Sequence, residues 1–317
     1  MSRVGLVLGA GGAAGHAFHA GVIAALQEAL GWDAREAELI VGTSAGSIVA
    51  ANLRAGMSGA DLAALVCGEP LSAEGAALAS RMGSPRPVAP RPRTRSGWSV
   101  AAPEVLRAAA RRPWTVRPGA VVAGLLPPGR VPTDFISSGV RAVFGDSWPH
   151  RPTWICACDL RSGQRVVFGR TGAPTASLAD AVAASCAVPA LFTPVTIGGR
   201  QYVDGGVNSA ENADLPIGQG LDLVLVSSIM SGAGLRGVRD VIRLRLDREV
   251  ARLRAAGTEV VVLRPGRADR EIIGTDFMDR GRAPQIAISA RRGTLGALSD
   301  PGLRRRLAPL SRGRAAS

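Results

Sequence analysis

Apolar residues in this chain come in short runs set between glycine turns and stretches of small residues. Residues 3–9, Arg-Val-Gly-Leu-Val-Leu-Gly, predict a short buried strand, and the glycine-rich stretch 9–15 predicts a loop. Residues 16–30 predict a helix in which Ala17, Ala20, Gly21, Ala24 and Ala25 make a slim face suited to lie close to a sheet. A second strand follows at 39–42 and a second helix at 45–53. Strand, loop, helix, strand, turn, helix is the opening of a parallel α/β sheet. The strand pattern returns at Trp154-Ile155-Cys156-Ala157-Cys158 and at Arg165-Val166-Val167-Phe168. Further along, the spacing predicts a small-residue helix at 177–185 and strands at 200–203, 221–227 and 259–263. It predicts an amphipathic helix at 238–256.

Two segments break this pattern. Residues 81–132 hold ten Pro, ten Arg and a single acid, Glu104. Proline removes backbone donors and blocks helix interiors, so this window is expected to be an insertion or lid, with one short helix at 100–112. Residues 291–317 carry seven Arg and one Asp and are expected to form a basic tail, frayed beyond Arg304. The expected organisation is therefore one catalytic domain over 1–290, interrupted by the insertion, and a tail over 291–317.

Composition narrows the function. Apolar residues make up 46% of the 317 and aromatics only 4%, so the core must be built mainly from Ala, Val and Leu. The formal charge is +13, and all 38 basic residues are Arg. Such a balance fits anionic membrane, acidic substrate or nucleic acid, and equally a compositional bias towards Arg, Ala, Gly and Pro. No basic strand interleaved with aromatics is present, so nucleic acid is not an expected partner. The four cysteines include no C-x-x-C and no His–Cys cluster, so neither a metal nor another cofactor is expected. The N-terminus does not read as a signal peptide, and no run of about 18 apolar residues occurs. A cytoplasmic protein, peripheral to the membrane at most, is the expectation.

Three constellations carry chemistry. The first is Gly42-Thr43-Ser44-Ala45-Gly46, a G-x-S-x-G between a strand and a helix. A turn this sharp needs glycines on both sides of its apex, and it projects the serine oxygen towards the helix N-terminus. The second is Asp204-Gly205-Gly206 at a strand end, where a carboxylate can approach another backbone closely. A serine nucleophile usually has a histidine base late in the chain, but the three histidines are His16, His19 and His150. A carboxylate within reach of the serine hydroxyl takes that place, provided partial burial raises its proton affinity. The third is the loop 9–15. It partly fits a dinucleotide fingerprint, but the second strand ends in the serine turn and not in the acid that fingerprint requires. The loop amides read better as an oxyanion hole facing the serine.

Together these residues resemble the patatin-like phospholipase family: the glycine loop running on into Gly21-Val22-Ile23-Ala24-Ala25-Leu26, the serine turn, and the Asp-Gly-Gly. The stretch Ala184-Ser185-Cys186-Ala187-Val188-Pro189-Ala190-Leu191-Phe192 resembles the segment preceding the family's aspartate. The resemblance covers 3–54 and 153–265. It implies a three-layer α/β/α sandwich with a mainly parallel central sheet. It also implies hydrolysis of lipid esters, of phospholipase A, lysophospholipase or esterase type, without a metal. Carried over by position, Ser44 is the nucleophile and Asp204 the base. The amides of Gly11, Gly12 and Ala13 form the oxyanion hole. Gly42, Thr43, Ala45 and Gly46 shape the turn, and Gly205 and Gly206 support the aspartate. One departure stands out: Ala14 occupies a place where the family loop often carries Arg or Lys. The expected partners are a lipid ester and, through the Arg-rich segments 81–132 and 291–317, an anionic membrane. The alternative functions are a catalytically silent lipid-binding or scaffold protein keeping the same fold, and a nucleotide-binding protein using the loop 9–15.

Overall fold

The computed structural model describes residues 2–83, 121, 124–127 and 129–311. The chain runs β1 (Val4–Leu8), α1 (Gly12–Leu30), β2 (Leu39–Thr43), α2 (Ala45–Ala55), α3 (Gly59–Cys67), α4 (Ala73–Met82) and α5 (Asp134–Phe144). It continues through β3 (Thr153–Asp159), β4 (Arg165–Phe168), α6 (Leu178–Ser185), β5 (Val195–Ile197), β6 (Arg200–Asp204), β7 (Leu223–Ser227) and α7 (Arg236–Ala255). It closes with β8 (Glu259–Leu263), α8 (Arg267–Ile273), α9 (Ala283–Ala297), α10 (Pro301–Arg306) and α11 (Ala308–Ser311). The helix expected at 100–112 and most of the insertion 81–132 lie outside the described residues.

The strands form one sheet in the order β5-β6-β3-β2-β1-β7-β8, with β4 added on β3. From β3 to β8 the pairs are parallel, while β4, β5 and β6 pair antiparallel. Alternating side chains divide between two cores, as the pleat requires. Leu6, Leu8, Ile40, Ile155, Leu225 and Val261 face α1, α2, α6 and α9. Val7, Val41, Trp154, Cys156, Val224 and Val260 face Leu246, Val250 and Leu253 of α7. This is the three-layer α/β/α sandwich. With few aromatics, layers meet through small residues: a Cβ on Gly21 of α1 would come within 2.2 Å of the Ala287 carbonyl of α9.

The register of β3 places the site. Its residues 153–156 pair with β2, ending at Thr43↔Cys156. Residues 155–158 pair with β4, which therefore takes the opposite edge. Residues 157–159 pair with β6, ending at Ala157↔Asp204. Because β6 overlaps β4 along β3, it lies on the edge that β2 occupies. β2 and β6 thus approach each other head to head along one edge, and their ends face consecutive β3 residues.

Two expectations need correction. α1 begins at Gly12, four residues before the expected start, so much of the loop is its first turn. Ala13 and Ala14 are strong helix formers, and the turn is held by Ala14 N–H donating to the Phe277 carbonyl at 3.0 Å and Gly15 N–H to the Gly11 carbonyl at 2.6 Å. The expected boundary at 290 falls inside α9, and residues 291–311 are helical parts of the domain. Leu298, Leu307 and Leu310 enter the core, and Arg291 and Arg306 pair with Glu28 and Glu259, each at 2.8 Å.

Candidate active site

Ser44 sits at the apex between β2 and α2 with φ 52° and ψ −120°, a region that a side chain rarely occupies. The flanking glycines make the turn possible. A Cβ on Gly46 would lie 2.1 Å from the Leu8 carbonyl oxygen, and one on Gly42 would lie 2.7 Å from the Ser47 Cα. The Ser47 hydroxyl donates to the Ser44 carbonyl at 2.6 Å, and Gly46 N–H donates to the Gly9 carbonyl at 3.2 Å. The Thr43 hydroxyl accepts from the Asn212 side-chain amide at 3.1 Å. The turn is thereby held from both faces of the sheet.

Asp204 ends β6 and is buried. Its carboxylate accepts from Gly206 N–H at 2.7 Å and lies near enough to the Ser44 hydroxyl for that group to stabilise its charge. Burial raises its pKa to about 6, although both groups pull the other way. Gly205 is required by close approach: a Cβ there would lie 2.3 Å from the Cys156 carbonyl oxygen. The two predicted residues, 44 and 204, are thus brought together by the shared edge of β3.

The expected oxyanion donors separate. Gly12 and Ala13 border the same cleft as Ser44, and among the described residues neither amide has a backbone acceptor. They are the first two N–H groups of α1, at the positive end of its dipole. Gly11 stands one position back as the N-cap, its Cα packed so that a Cβ would meet Ile229 at 2.4 Å, and it does not border the cleft. The Ala45 amide, at the start of α2, also borders the cleft without a backbone acceptor.

The cleft holds about 320 Å³ and is mainly apolar, with Ile48, Ile136, Val188 and Phe192 along it. Phe135 and Phe192 stand 6.2 Å apart, and the strand bridge Val131↔Phe192 ties the far side of the insertion to this wall. Such walls suit an acyl chain. His16 and Arg280 line the mouth. Burial first, and the charge of Arg280 second, lower the His16 pKa to about 4, so this imidazole is neutral at physiological pH.

Several supporting residues carry no local signature in the sequence. Ser185 accepts from Ser44 N–H at 2.9 Å and donates to the Cys156 carbonyl at 2.6 Å. His19 spans from the Gly9 carbonyl, 2.8 Å from Nε2, to the Ser227 hydroxyl, 2.7 Å from Nδ1. A carbonyl only accepts, so Nε2 carries the proton and Nδ1 accepts from Ser227. Burial lowers the pKa of His19 to about 4, which keeps that tautomer neutral. Glu211 lies under Gly9, its carboxyl on the Ser228 hydroxyl, and burial raises its pKa to about 8.

Comparison with known proteins agrees with the family resemblance. A family model described as patatin-like phospholipase matches residues 6–217. Among solved structures, VipD from Legionella pneumophila is similar at 16% identity and a TM-score of 0.44, over 94% of this chain and 67% of that one. The type III effector ExoU is similar at 20% identity and a TM-score of 0.37, over 96% of this chain and 54% of that one. ExoU in its complex with SpcU, from Pseudomonas aeruginosa, matches at 18% identity and a TM-score of 0.37, over 97% and 52%. The chain spans about two thirds of VipD and about half of ExoU.

Proposed function

The chain belongs to the patatin-like phospholipase family of lipid ester hydrolases, and we propose that it cleaves carboxylic esters of lipids through an acyl-enzyme on Ser44, with Asp204 as the base. Asp204 takes the hydroxyl proton as Ser44 Oγ attacks the ester carbonyl. The carbonyl π electrons move onto oxygen, and the resulting oxyanion is held by the Gly12 and Ala13 amides. Collapse of the tetrahedral intermediate breaks the ester C–O bond, and the leaving alkoxide takes the proton from Asp204. Water then attacks the acyl carbonyl as it gives a proton to Asp204; collapse breaks the bond to Ser44 Oγ, which takes that proton back, and the fatty acid leaves.

What supports this reading is the Ser44 hydroxyl beside the buried Asp204 carboxylate, bordering an apolar cleft that Gly12 and Ala13 also line with amides that have no backbone acceptor among the described residues. Cleft shape and wall chemistry favour an acyl chain, and the ester class is that of a phospholipase A, a lysophospholipase or a general esterase. The test is hydrolysis of a soluble p-nitrophenyl ester and of mixed phospholipids by the wild type, Ser44→Ala and Asp204→Asn. Loss of both activities in both variants, with melting curves of folded protein, is expected. Activity surviving in either variant refutes the dyad. A wild type inert towards every ester favours the silent scaffold.

A further inference from the structure

α7 departs from the other helices that flank the sheet. Its buried residues are Leu246, Glu249, Val250 and Leu253, all in its C-terminal half. The N-terminal half stands clear of the body. Leu235, Val238, Val241 and Leu244 are 63%, 54%, 70% and 53% exposed, a concentration of bare large apolar side chains. At about 100° per residue, Val238, Val241 and Leu244 fall on one arc roughly 120° wide, next to the buried face. The same arc carries Arg248 and Arg252, which have no ion pair among the described residues. No acid lies on it. Asp240 and Asp247 border it on the side away from the buried face, where they pair with Arg239 and Arg264, each at 3.3 Å.

This helix begins at the end of the sheet where Ser44 lies, on the opposite face from α1 and α2. It follows β7, whose C-terminal end lies on the same sheet edge as the ends of β1 and β2. Gly234, just before it, packs against the Phe277 ring, 2.8 Å from where its Cβ would stand. The Phe277 carbonyl holds the first turn of α1, and the next residue, Met278, is 44% exposed and borders the cleft with Arg280. Gly234, Phe277 and Met278 therefore link the start of α7 to the lining of the cleft, with Asp276 and Asp279 flanking the last two.

We propose that the exposed arc of α7 is a docking surface for an anionic lipid bilayer. Apolar side chains enter the headgroup boundary while the arginines meet lipid phosphates and anionic headgroups, the arrangement of an amphipathic helix lying in the interface plane. Charge complementarity selects this occupant: a purely apolar partner gives no reason for an arc with arginines and no acids. The Arg-rich tail is a poorer surface, because Arg291 and Arg306 are engaged with acids of the domain. The proposal goes beyond hydrolysis, since docking needs neither Ser44 nor Asp204.

The test is co-sedimentation of the full chain bearing Ser44→Ala, so that no lipid is consumed. One set of vesicles is pure phosphatidylcholine, the other equimolar phosphatidylcholine and phosphatidylglycerol. Binding is expected on the anionic vesicles, weakening as salt is raised. Arg248→Gln with Arg252→Gln should weaken it on the order of 30-fold, and Val241→Glu with Leu244→Glu should abolish it. The same pairs of substitutions placed on the active chain should leave hydrolysis of the soluble ester unchanged, which shows a folded protein and separates docking from the catalytic reading. Equal binding to both kinds of vesicle overturns the proposal, as does undiminished binding by the variants. A concentration-dependent dimer in sedimentation velocity that Val241→Glu dissolves also overturns it, because the arc then seats a second copy.

Discussion

The backbone N–H of Ser44 donates to the hydroxyl of Ser185 at 2.9 Å, and that hydroxyl donates in turn to the Cys156 carbonyl at 2.6 Å. One side chain from α6 thereby locks the Ser44 backbone to β3 at the point where β2 and β6 meet. Ser185→Ala leaves a buried donor and a buried acceptor unpaired. A loss of about 1–3 kcal/mol in stability is expected, read by urea unfolding. Because the serine's aim is disturbed and the cleft walls are not, kcat should fall while KM changes little.

In the proposed mechanism Asp204 must be ionised to accept the serine proton. Burial raises its pKa to about 6, so kcat/KM for a soluble ester should rise about tenfold per pH unit below that value and level off above it. The measurement is a pH–rate profile under constant ionic strength. A profile flat from pH 5 to 8 would exclude a base of this kind.

The strain at Ser44 is a stability cost. Its φ of 52° and ψ of −120° suit glycine. Ser44→Gly should therefore remove activity and yet raise stability, on the order of 1 kcal/mol, whereas Ser44→Ala keeps the strain. Thermal melts of the two variants side by side give the comparison.

Stability should also depend on pH with opposing signs. Asp204 and Glu211 have raised carboxyl pKa values, about 6 and about 8. Their contributions are fully present below the ordinary carboxylate range and are lost as pH rises through those values. His16 and His19 are lowered to about 4. The unfolded chain takes up protons at these positions below about 6.5 while the folded chain does not, so their contribution is lost as pH falls from 6.5 towards 4. The stability of Asp204→Asn relative to the wild type should rise from below pH 4 onwards, by about 3 kcal/mol in all at pH 8, as read from urea midpoints.

What was legible in the sequence follows from how local each feature is. The serine turn is a steric unit of five residues: Gly42 and Gly46 are needed by backbone contacts within the β2–turn–α2 unit and with the adjoining β1. Its pattern therefore predicts its shape. Asp204-Gly205-Gly206 is local too, but its meeting with Ser44 depends on β2 and β6 sharing one edge of β3, a register no periodicity encodes. Ser185, His19 and Asn212 act across 141, 208 and 169 positions, so nothing nearby marks them. Glycines read alone predict a loop where α1 begins, whereas the carbonyl of Phe277 holds Ala14 in a helical turn. The dominance of arginine predicts a tail over the last helices, while Leu298, Leu307 and Leu310 do the packing.

The proposed dyad makes Ser44 a nucleophile activated by Asp204. Reaction with a fluorophosphonate ester, followed by peptide mass spectrometry, tests it most directly. A single adduct on the peptide containing Ser44 is expected, forming at least about 100-fold more slowly in folded Asp204→Asn. An adduct on any other residue contradicts the claim, as does labelling of Ser44 at an undiminished rate without the carboxylate.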